Sequence, residues 1–244
     1  MIYQNVLSAI QDGRKLLAIL LDPDKMNHDM IADLMRKINE SMVDFIFVGG
    51  STVVEHATQE LVIKLRHNTS IPIVLFPGHF NQITAQADAI LFLSLISGRN
   101  PEYLINQQVK AVPYLQKSEL EVIPTGYILI DGGKETAVQR VSETKPILAD
   151  NIDKITQTAM AGMYMGNKLI YLEAGSGALN PVNPSVINSV RKNVNIPLIV
   201  GGGIRSKNEL LEAYKNGADV VVIGTAFEEN SNFLTKIMKN EHIC

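Results

Sequence analysis

Eight short apolar runs recur along the chain, and their alternation with longer segments limits the possible folds more than any other feature. The runs are rich in β-branched residues and place apolar residues at consecutive positions, which is typical of strands buried on both faces. They occupy residues 15–21, 43–48, 71–76, 87–93, 126–130, 168–173, 196–200 and 218–223. Eight is the number of parallel strands that closes an α/β barrel.

Most segments between the runs have apolar residues at three- and four-residue spacing, which predicts amphipathic helices. These helices are expected within 30–42, 53–68, 101–112, 155–167, 184–194, 206–217 and 226–240. Pro184 is a helix-start signal, Ser206 and Glu209 form a capping box, and Asn216-Gly217 is a stop signal. Residues 77–86 are too few for a full helix, whereas the gap at 131–150 is long and polar.

We therefore predict one TIM (β/α)8 barrel domain spanning residues 1–244, with the third helix shortened or replaced by a loop. An open doubly wound sheet is the competing architecture, and it requires a G-x-G-x-x-G fingerprint early in the chain. That fingerprint is absent, because GSGALN ends in Asn180 and GGGIRS ends in Ser206. The glycine clusters instead follow the sixth, seventh and eighth runs, which favours the barrel.

Charge and cysteine content restrict the partners and the compartment. The formal net charge is -3, and the basic residues are scattered, whereas nucleic-acid binding needs a concentrated basic face. The only cysteine is Cys244, so no disulfide can form within the chain. The first fifteen residues lack a signal-peptide pattern, and no apolar run can span a bilayer. We expect a cytoplasmic protein that meets membranes, if at all, only at their surface.

Glycine clusters follow the last three runs and suggest a phosphate site. In parallel barrels the loops after strands seven and eight commonly bind phosphate, and glycines allow backbone N–H groups to approach the anion. The clusters are AGSG at 174–177, GGG at 201–203 and Gly224-Thr225. Each cluster alone is a weak signal, and three unrelated turns remain the competing interpretation.

Acidic residues also occur at the predicted carboxyl ends of strands. Asp22 and Asp24 follow the first run, and Ser51 follows the second, so Mg²⁺ could bind there through oxygen ligands. An ordinary turn at Asp-Pro-Asp is an equally good interpretation. Glu173 ends the sixth run beside the glycines and is a candidate general base. Its alternative role is to accept hydrogen bonds from neighbouring loop N–H groups.

The motifs LLDPDK, FVGGST, YLEAGSG, VGGGIRS and VVIGTAFEE, in this order, resemble the geranylgeranylglyceryl phosphate synthase family, which includes bacterial heptaprenylglyceryl phosphate synthases. The YLEAGSGA form, with FPG after the third run, is similar to the second group of that family. The resemblance covers essentially the whole chain. It implies an enzyme that transfers a polyprenyl group, with geranylgeranyl expected, from its diphosphate to the 3-hydroxyl of sn-glycerol 1-phosphate.

The resemblance also implies roles for individual residues. Glu173 would be the base, and Asp22 and Ser51 would hold the Mg²⁺ cofactor. The glycerol 1-phosphate site would comprise Tyr171, Leu172, Glu173, Ala174, Gly175, Ser176, Gly177, Gly202, Gly203, Gly224 and Thr225. Some family members have a lysine where this chain has Leu20, so Lys25 or Arg205 is expected to replace it. Members are often dimers or hexamers, which predicts a homo-oligomer.

Several questions stay open at the level of sequence. The short segment 77–86 could leave one flank of the barrel open as a path for the prenyl tail, with Phe92, Leu95 and Tyr127 as candidate lining residues. Prenyl chain length does not follow from the residues. Two other functions compete: a phosphate-binding barrel of another kind, such as a sugar-phosphate isomerase, and a phosphate sensor or scaffold without turnover.

Overall fold

Residues 1–224, which the computed structural model describes, form a closed barrel of eight parallel strands. Each strand pairs with its neighbour in chain order, and the first strand pairs with the last to close the barrel. The strands are β1 Leu16–Leu21, β2 Phe45–Val48, β3 Ile73–Leu75, β4 Ala89–Leu95, β5 Glu121–Leu129, β6 Leu169–Glu173, β7 Leu198–Gly201 and β8 Val220–Ile223. The predicted α/β barrel is confirmed.

Helices pack outside the barrel between successive strands. The described α-helices are α1 Ile2–Gln11, α2 Ile31–Asn39, α3 Ala57–Arg66, α4 Gln107–Leu115, α5 Ala137–Ser142, α6 Ile152–Tyr164, α7 Pro184–Asn193 and α8 Lys207–Lys215. Ser206 and Glu209 form the predicted capping box at α8, and Pro184 opens α7. The helix predicted at 226–240 lies outside the described residues.

The segment between β3 and β4 has no α-helix. A single turn of 3₁₀-helix at Phe80–Gln82 is its only helical structure, which confirms that the third helix is replaced by a loop. The thirteen residues between β3 and β4, at 76–88, are close to the minimum length of a crossover between parallel strands, which leaves no room for a full helix. The flank beside β3 and β4 is therefore covered only by this loop and by the start of the next helical segment, a π-helical turn at Glu102–Asn106.

Two apolar layers hold the barrel together. Alternate strand residues point outward and pack against the helices, while the others point inward and fill the barrel. Helix α1, which was not predicted, packs Val6 and Ala9 against inward-facing residues such as Leu16. Glu121 at the start of β5 accepts hydrogen bonds from the backbone N–H groups of Ile2 and Tyr3. Helix α1 thus closes the end of the barrel opposite the carboxyl ends of the strands.

Candidate active site

The carboxyl ends of the strands surround a cavity of about 230 Å³, which we call the polar cavity. Most of the residues predicted from sequence lie in its wall. They are Asp22, Ser51, Tyr171, Glu173, Ser176, Gly177, Gly202, Gly203 and Gly224. Residues that are far apart in sequence meet here because parallel strands present all their carboxyl ends at one face. Thr225 lies outside the described residues.

Three predicted substrate-binding residues do not line the polar cavity. Leu172 packs with the outer apolar layer, because side chains alternate along a strand and its neighbours Tyr171 and Glu173 face inward. Ala174 is buried in that same layer, and its N–H donates to the Gly201 carbonyl. The Gly175 N–H donates to Glu173 Oε1 at 2.6 Å. The backbone donors of Ala174 and Gly175 are therefore already engaged.

Glu173 is a buried carboxylate at the end of β6, with 5% of its surface exposed. Burial raises its pKa from 4.5 to about 7, because a charged carboxylate loses its hydration in the barrel. The hydrogen bond from the Gly175 N–H and the proximity of the Tyr171 hydroxyl oppose this rise in pKa. A group with this pKa can accept a proton near neutral pH, as a general base requires.

The Tyr171 hydroxyl lies beside Glu173 and is completely buried. Burial raises the pKa of Tyr171 well above its ordinary value, and the negative charge of Glu173 raises it further, so the phenol stays protonated. Its oxygen makes no hydrogen bond of ordinary geometry within residues 1–224. Its polar neighbour is the Glu173 carboxylate, whose pKa the hydroxyl lowers, and both side chains line the polar cavity.

Gly202 brings the loop after β7 close to the loop after β6. It has a φ of 83°, and a Cβ atom at this position would lie 2.4 Å from Glu173 Oε1 and 2.6 Å from the Gly175 nitrogen. No other residue type fits this backbone conformation and this separation. The two glycine-rich loops therefore meet with bare backbone at the polar cavity, as an anion site requires.

Asp22 is the better placed of the two aspartates after β1. It lines the polar cavity with Ser51, whereas both carboxylate oxygens of Asp24 accept the Val54 N–H in the adjacent loop. Within residues 1–224 there is no cluster of three or more acidic, histidine or cysteine side chains that could hold a metal ion. One carboxylate and one hydroxyl still suit Mg²⁺, which retains waters and takes further ligands from substrate phosphates.

Lys25 and Arg205, the expected replacements for a lysine at Leu20, both line the polar cavity, as Leu20 itself does. Lys25 Nζ lies 3.3 Å from Asp22 Oδ2. The Arg205 guanidinium donates to the carbonyl groups of Ala178 and Leu179. Both cations therefore already have partners within the protein.

An apolar groove adjoins the polar cavity along the flank that lacks a helix. Its wall is formed by the loop after β3, by β4, and by the segment from the π-helical turn to α4. Phe92, Leu95 and Tyr127, the residues proposed from sequence, all line it. The groove and the polar cavity share five wall residues, namely Gly50, Ser51, Phe76, Tyr127 and Val138. The two spaces therefore adjoin along this wall.

Two features of the site did not emerge from the sequence. Gln82, only 3% exposed, donates to the Gly50 carbonyl and accepts the Gly78 N–H, so it joins the loops after β2 and β3. The second feature is the segment at residues 131–136, which we call the β5 loop. Together with helix α5, which follows it, this loop packs beside the glycine-rich loop that begins at Ala174 after β6. The long polar gap at 131–150 was the only sequence signal for the β5 loop.

Barrels with glycine-rich loops after their last strands bind phosphate-bearing ligands at that end, and this architecture places the protein in that class of (β/α)8 barrels. The chain belongs to the PcrB family, whose model matches residues 10–241. Geranylgeranylglyceryl phosphate synthase of Flavobacterium johnsoniae is 55% identical over 232 residues, covering 95% of this chain and 96% of that protein. The Pyrococcus furiosus protein of the same name is 42% identical over 218 residues, covering 89% and 86%.

Solved structures agree with the sequence relatives. (S)-3-O-geranylgeranylglyceryl phosphate synthase from Thermoplasma acidophilum, crystallised with its substrate sn-glycerol-1-phosphate, superimposes with a TM-score of 0.91 at 32% identity. The match covers 97% of this chain and 95% of that one. The described part of the chain contains no helix long and apolar enough to cross a membrane.

Proposed function

We propose that this protein is a prenyltransferase that joins the 3-hydroxyl of sn-glycerol 1-phosphate to a polyprenyl diphosphate, with geranylgeranyl diphosphate expected, and releases diphosphate. The names of its relatives and the substrate of the Thermoplasma acidophilum structure support this proposal. The observation that carries it is the shared wall between the polar cavity and the apolar groove. A polar phosphate ester and an apolar chain can meet at that wall.

Glycerol 1-phosphate would bind with its phosphate at the glycine-rich loops. Ser176, Gly177, Gly202 and Gly203 line the polar cavity with Gly224. Backbone N–H groups in such loops bind phosphate oxygens directly. The free hydroxyls of glycerol would then extend toward Glu173, whose carboxylate lines the same cavity.

Glu173 would accept the proton of the 3-hydroxyl as its oxygen bonds to C1 of the prenyl chain. The C1–oxygen bond to diphosphate breaks at the same stage, and diphosphate leaves with the bonding electrons. Since the pKa of Glu173 is about 7, the carboxylate is ionised above neutral pH and protonated below it. We therefore expect kcat/KM to rise with pH toward a plateau above about pH 7.

Two aromatic residues of the shared wall, Phe76 and Tyr127, pack against Tyr171 of the polar cavity. The rings of Phe76 and Tyr171 stack with centroids 5.2 Å apart, and Tyr127 lies 5.3 Å from Tyr171. Aromatic faces attract cations, so these rings can favour the positive charge that develops on the allylic carbon. Asp22 and Ser51 would hold Mg²⁺ with the diphosphate oxygens, and the ion would neutralise charge on the leaving group.

The remaining expectations about the protein belong to this proposal. The prenyl tail would lie in the apolar groove, whose residues offer it no charge. We further propose a cytoplasmic homo-oligomer built from one barrel domain per chain over residues 1–244, with contact to membranes restricted to their surface.

A sugar-phosphate isomerase finds no support in the site. Such chemistry needs an acid and a base on opposite strand ends, and Asp131 was the candidate from β5. Asp131 instead accepts the Gly133 N–H within its own loop and does not line the polar cavity. A phosphate sensor without turnover would gain nothing from a buried carboxylate with a raised pKa, which costs folding free energy.

The proposal can be tested by incubating the protein and Mg²⁺ with labelled prenyl diphosphates of several lengths. Each reaction would contain either sn-glycerol 1-phosphate or its mirror image, sn-glycerol 3-phosphate. We expect an ether-linked prenylglyceryl phosphate, formed in preference with the first enantiomer. Absence of product with every prenyl length, measured on protein that binds sn-glycerol 1-phosphate, would leave the sensor as the better account.

A further inference from the structure

The β5 loop and the glycine loop after β6 form one packed unit. The N–H groups of Leu179 and Asn180 both donate to the Gly132 carbonyl, at 2.9 and 3.0 Å. A Cβ atom on Gly175 would lie 2.2 Å from the Thr136 side chain, so this side chain packs directly against the glycine backbone. The β5 loop is therefore held in a fixed position against the glycine loop.

Lys134 extends from this loop over the last glycine of the cluster. A Cβ atom on Gly177 would lie 3.2 Å from Lys134 Nζ, which is the nearest atom to that position apart from the glycine and its chain neighbours. Gly177 has a φ of 69° and lines the polar cavity. The ammonium group thus stands beside the backbone that we assign to the phosphate of glycerol 1-phosphate.

No carboxylate within residues 1–224 neutralises the charge of Lys134. Among residues 1–224 it makes no hydrogen bond or ion pair, and its neighbour Glu135 pairs with Arg140 at 3.4 Å instead. The two cations that line the polar cavity are held by the protein: Lys25 pairs with Asp22, and the Arg205 guanidinium donates to two backbone carbonyls, which fix its position without neutralising its charge. A phosphate dianion that enters the cavity is repelled by the negative charge of Glu173. A cation without a counter-charge beside the phosphate would offset this repulsion.

We propose that Lys134 is a substrate-binding residue that contacts the phosphate of sn-glycerol 1-phosphate, an inference that rests on the proposed function. Lysine suits this position because its ammonium is a point charge on a flexible chain and can follow the phosphate as it binds. The β5 loop thereby supplies a positive charge at the site, whereas Leu20 in β1, at the position where some family members have a lysine, supplies none. Lys134 serves the phosphate of glycerol 1-phosphate and not the diphosphate, because it faces the β6 loop.

The test compares Lys134→Ala, Lys134→Arg and the control Lys192→Ala with the wild-type protein. Lys192 is also exposed but lies in the last turn of α7, at the opposite end of the barrel, so its variant loses the same charge without altering the site. Calorimetry would give the Kd for sn-glycerol 1-phosphate, and steady-state kinetics would give kcat and both KM values. Thermal melts would confirm folding.

For Lys134→Ala we expect about a 10-fold rise in Kd and KM for sn-glycerol 1-phosphate, equivalent to about 1.4 kcal/mol. The kcat and the KM for prenyl diphosphate should stay within about 2-fold of wild type, and Lys134→Arg should recover most of the affinity. The dependence of Kd on salt should become weaker in Lys134→Ala and stay unchanged in Lys192→Ala.

An unchanged Kd in Lys134→Ala would overturn the inference, and so would a change confined to the KM for prenyl diphosphate. Both results would leave the proposed function intact, because wild-type protein would still form product. A wild-type protein that neither binds nor consumes sn-glycerol 1-phosphate would refute the proposed function, and this inference with it.

Discussion

Replacing Glu173 with Gln should stabilise the folded protein at alkaline pH while it removes the proposed base. The carboxylate is buried at the end of β6, and its pKa rises from 4.5 to about 7 on folding. One pKa unit corresponds to about 1.4 kcal/mol. The rise in the pKa of Glu173 therefore means that the ionised carboxylate lowers the free energy of unfolding by about 3 kcal/mol. Gln has the same shape without the charge, and it avoids this cost.

The sign of the pH dependence follows from the two pKa values. Above about pH 7 Glu173 is ionised in both the folded and unfolded states, so the full cost is present. As the pH falls from 7 toward 4.5, the folded state takes up a proton that the unfolded state does not, and the cost disappears. The stability advantage of Glu173→Gln should therefore be largest above about pH 7 and vanish near about pH 4.5.

Urea unfolding of the wild type and the variant at several pH values between about 5 and 8 measures this difference. Glu40→Gln is the matched control, because Glu40 is exposed at the end of α2 and its removal should leave stability almost independent of pH. A Glu173→Gln variant that is less stable than wild type at about pH 8 would show that the ionised Glu173 does not destabilise the folded protein. A stability difference that does not change with pH would equally refute the rise in the pKa of Glu173.

Three other substitutions test the architecture of the site. Gly202→Ala should abolish sn-glycerol 1-phosphate binding in calorimetry, because its Cβ would collide with Glu173 Oε1; wild-type affinity would show that the loops move apart. Gln82→Leu should lower the free energy of unfolding in urea by about 1–3 kcal/mol, since two partly buried backbone groups lose their partner. It should also raise the KM for prenyl diphosphate more than it lowers kcat, and a purely kcat effect would contradict this. Asp22→Asn should raise the Mg²⁺ concentration for half-maximal rate by at least about 10-fold, whereas an unchanged Mg²⁺ titration would remove Asp22 as the ligand.

The strands could be predicted from sequence because their apolar runs are short, β-branched and evenly distributed. The start of β5 was missed by five residues, since Pro124 and Gly126 interrupt the apolar pattern there. Helix α1 was missed because it is stabilised by packing against the end of the closed barrel, and that contact is a tertiary property. The absence of an α-helix between β3 and β4 was predictable, because only ten residues, 77–86, separate the third and fourth apolar runs.

The site was predictable to the extent that it follows strand alternation. Tyr171 and Glu173 face the polar cavity, as their spacing on β6 requires, and Leu172 between them faces outward for the same reason. Lys134 and Gln82 were not predictable in this way. Their roles depend on which loops pack together, and no local pattern in the sequence carries that information.

The most direct test of the account measures binding and turnover on the same Glu173→Gln protein. Calorimetry would give its affinity for sn-glycerol 1-phosphate, and labelled prenyl diphosphate would give its rate of product formation. We expect affinity close to that of the wild type, because the glycine-rich loops bind the phosphate. The rate should fall by about 100-fold or more, because no group accepts the proton. Product formation at the wild-type rate would contradict the central claim that Glu173 is the base.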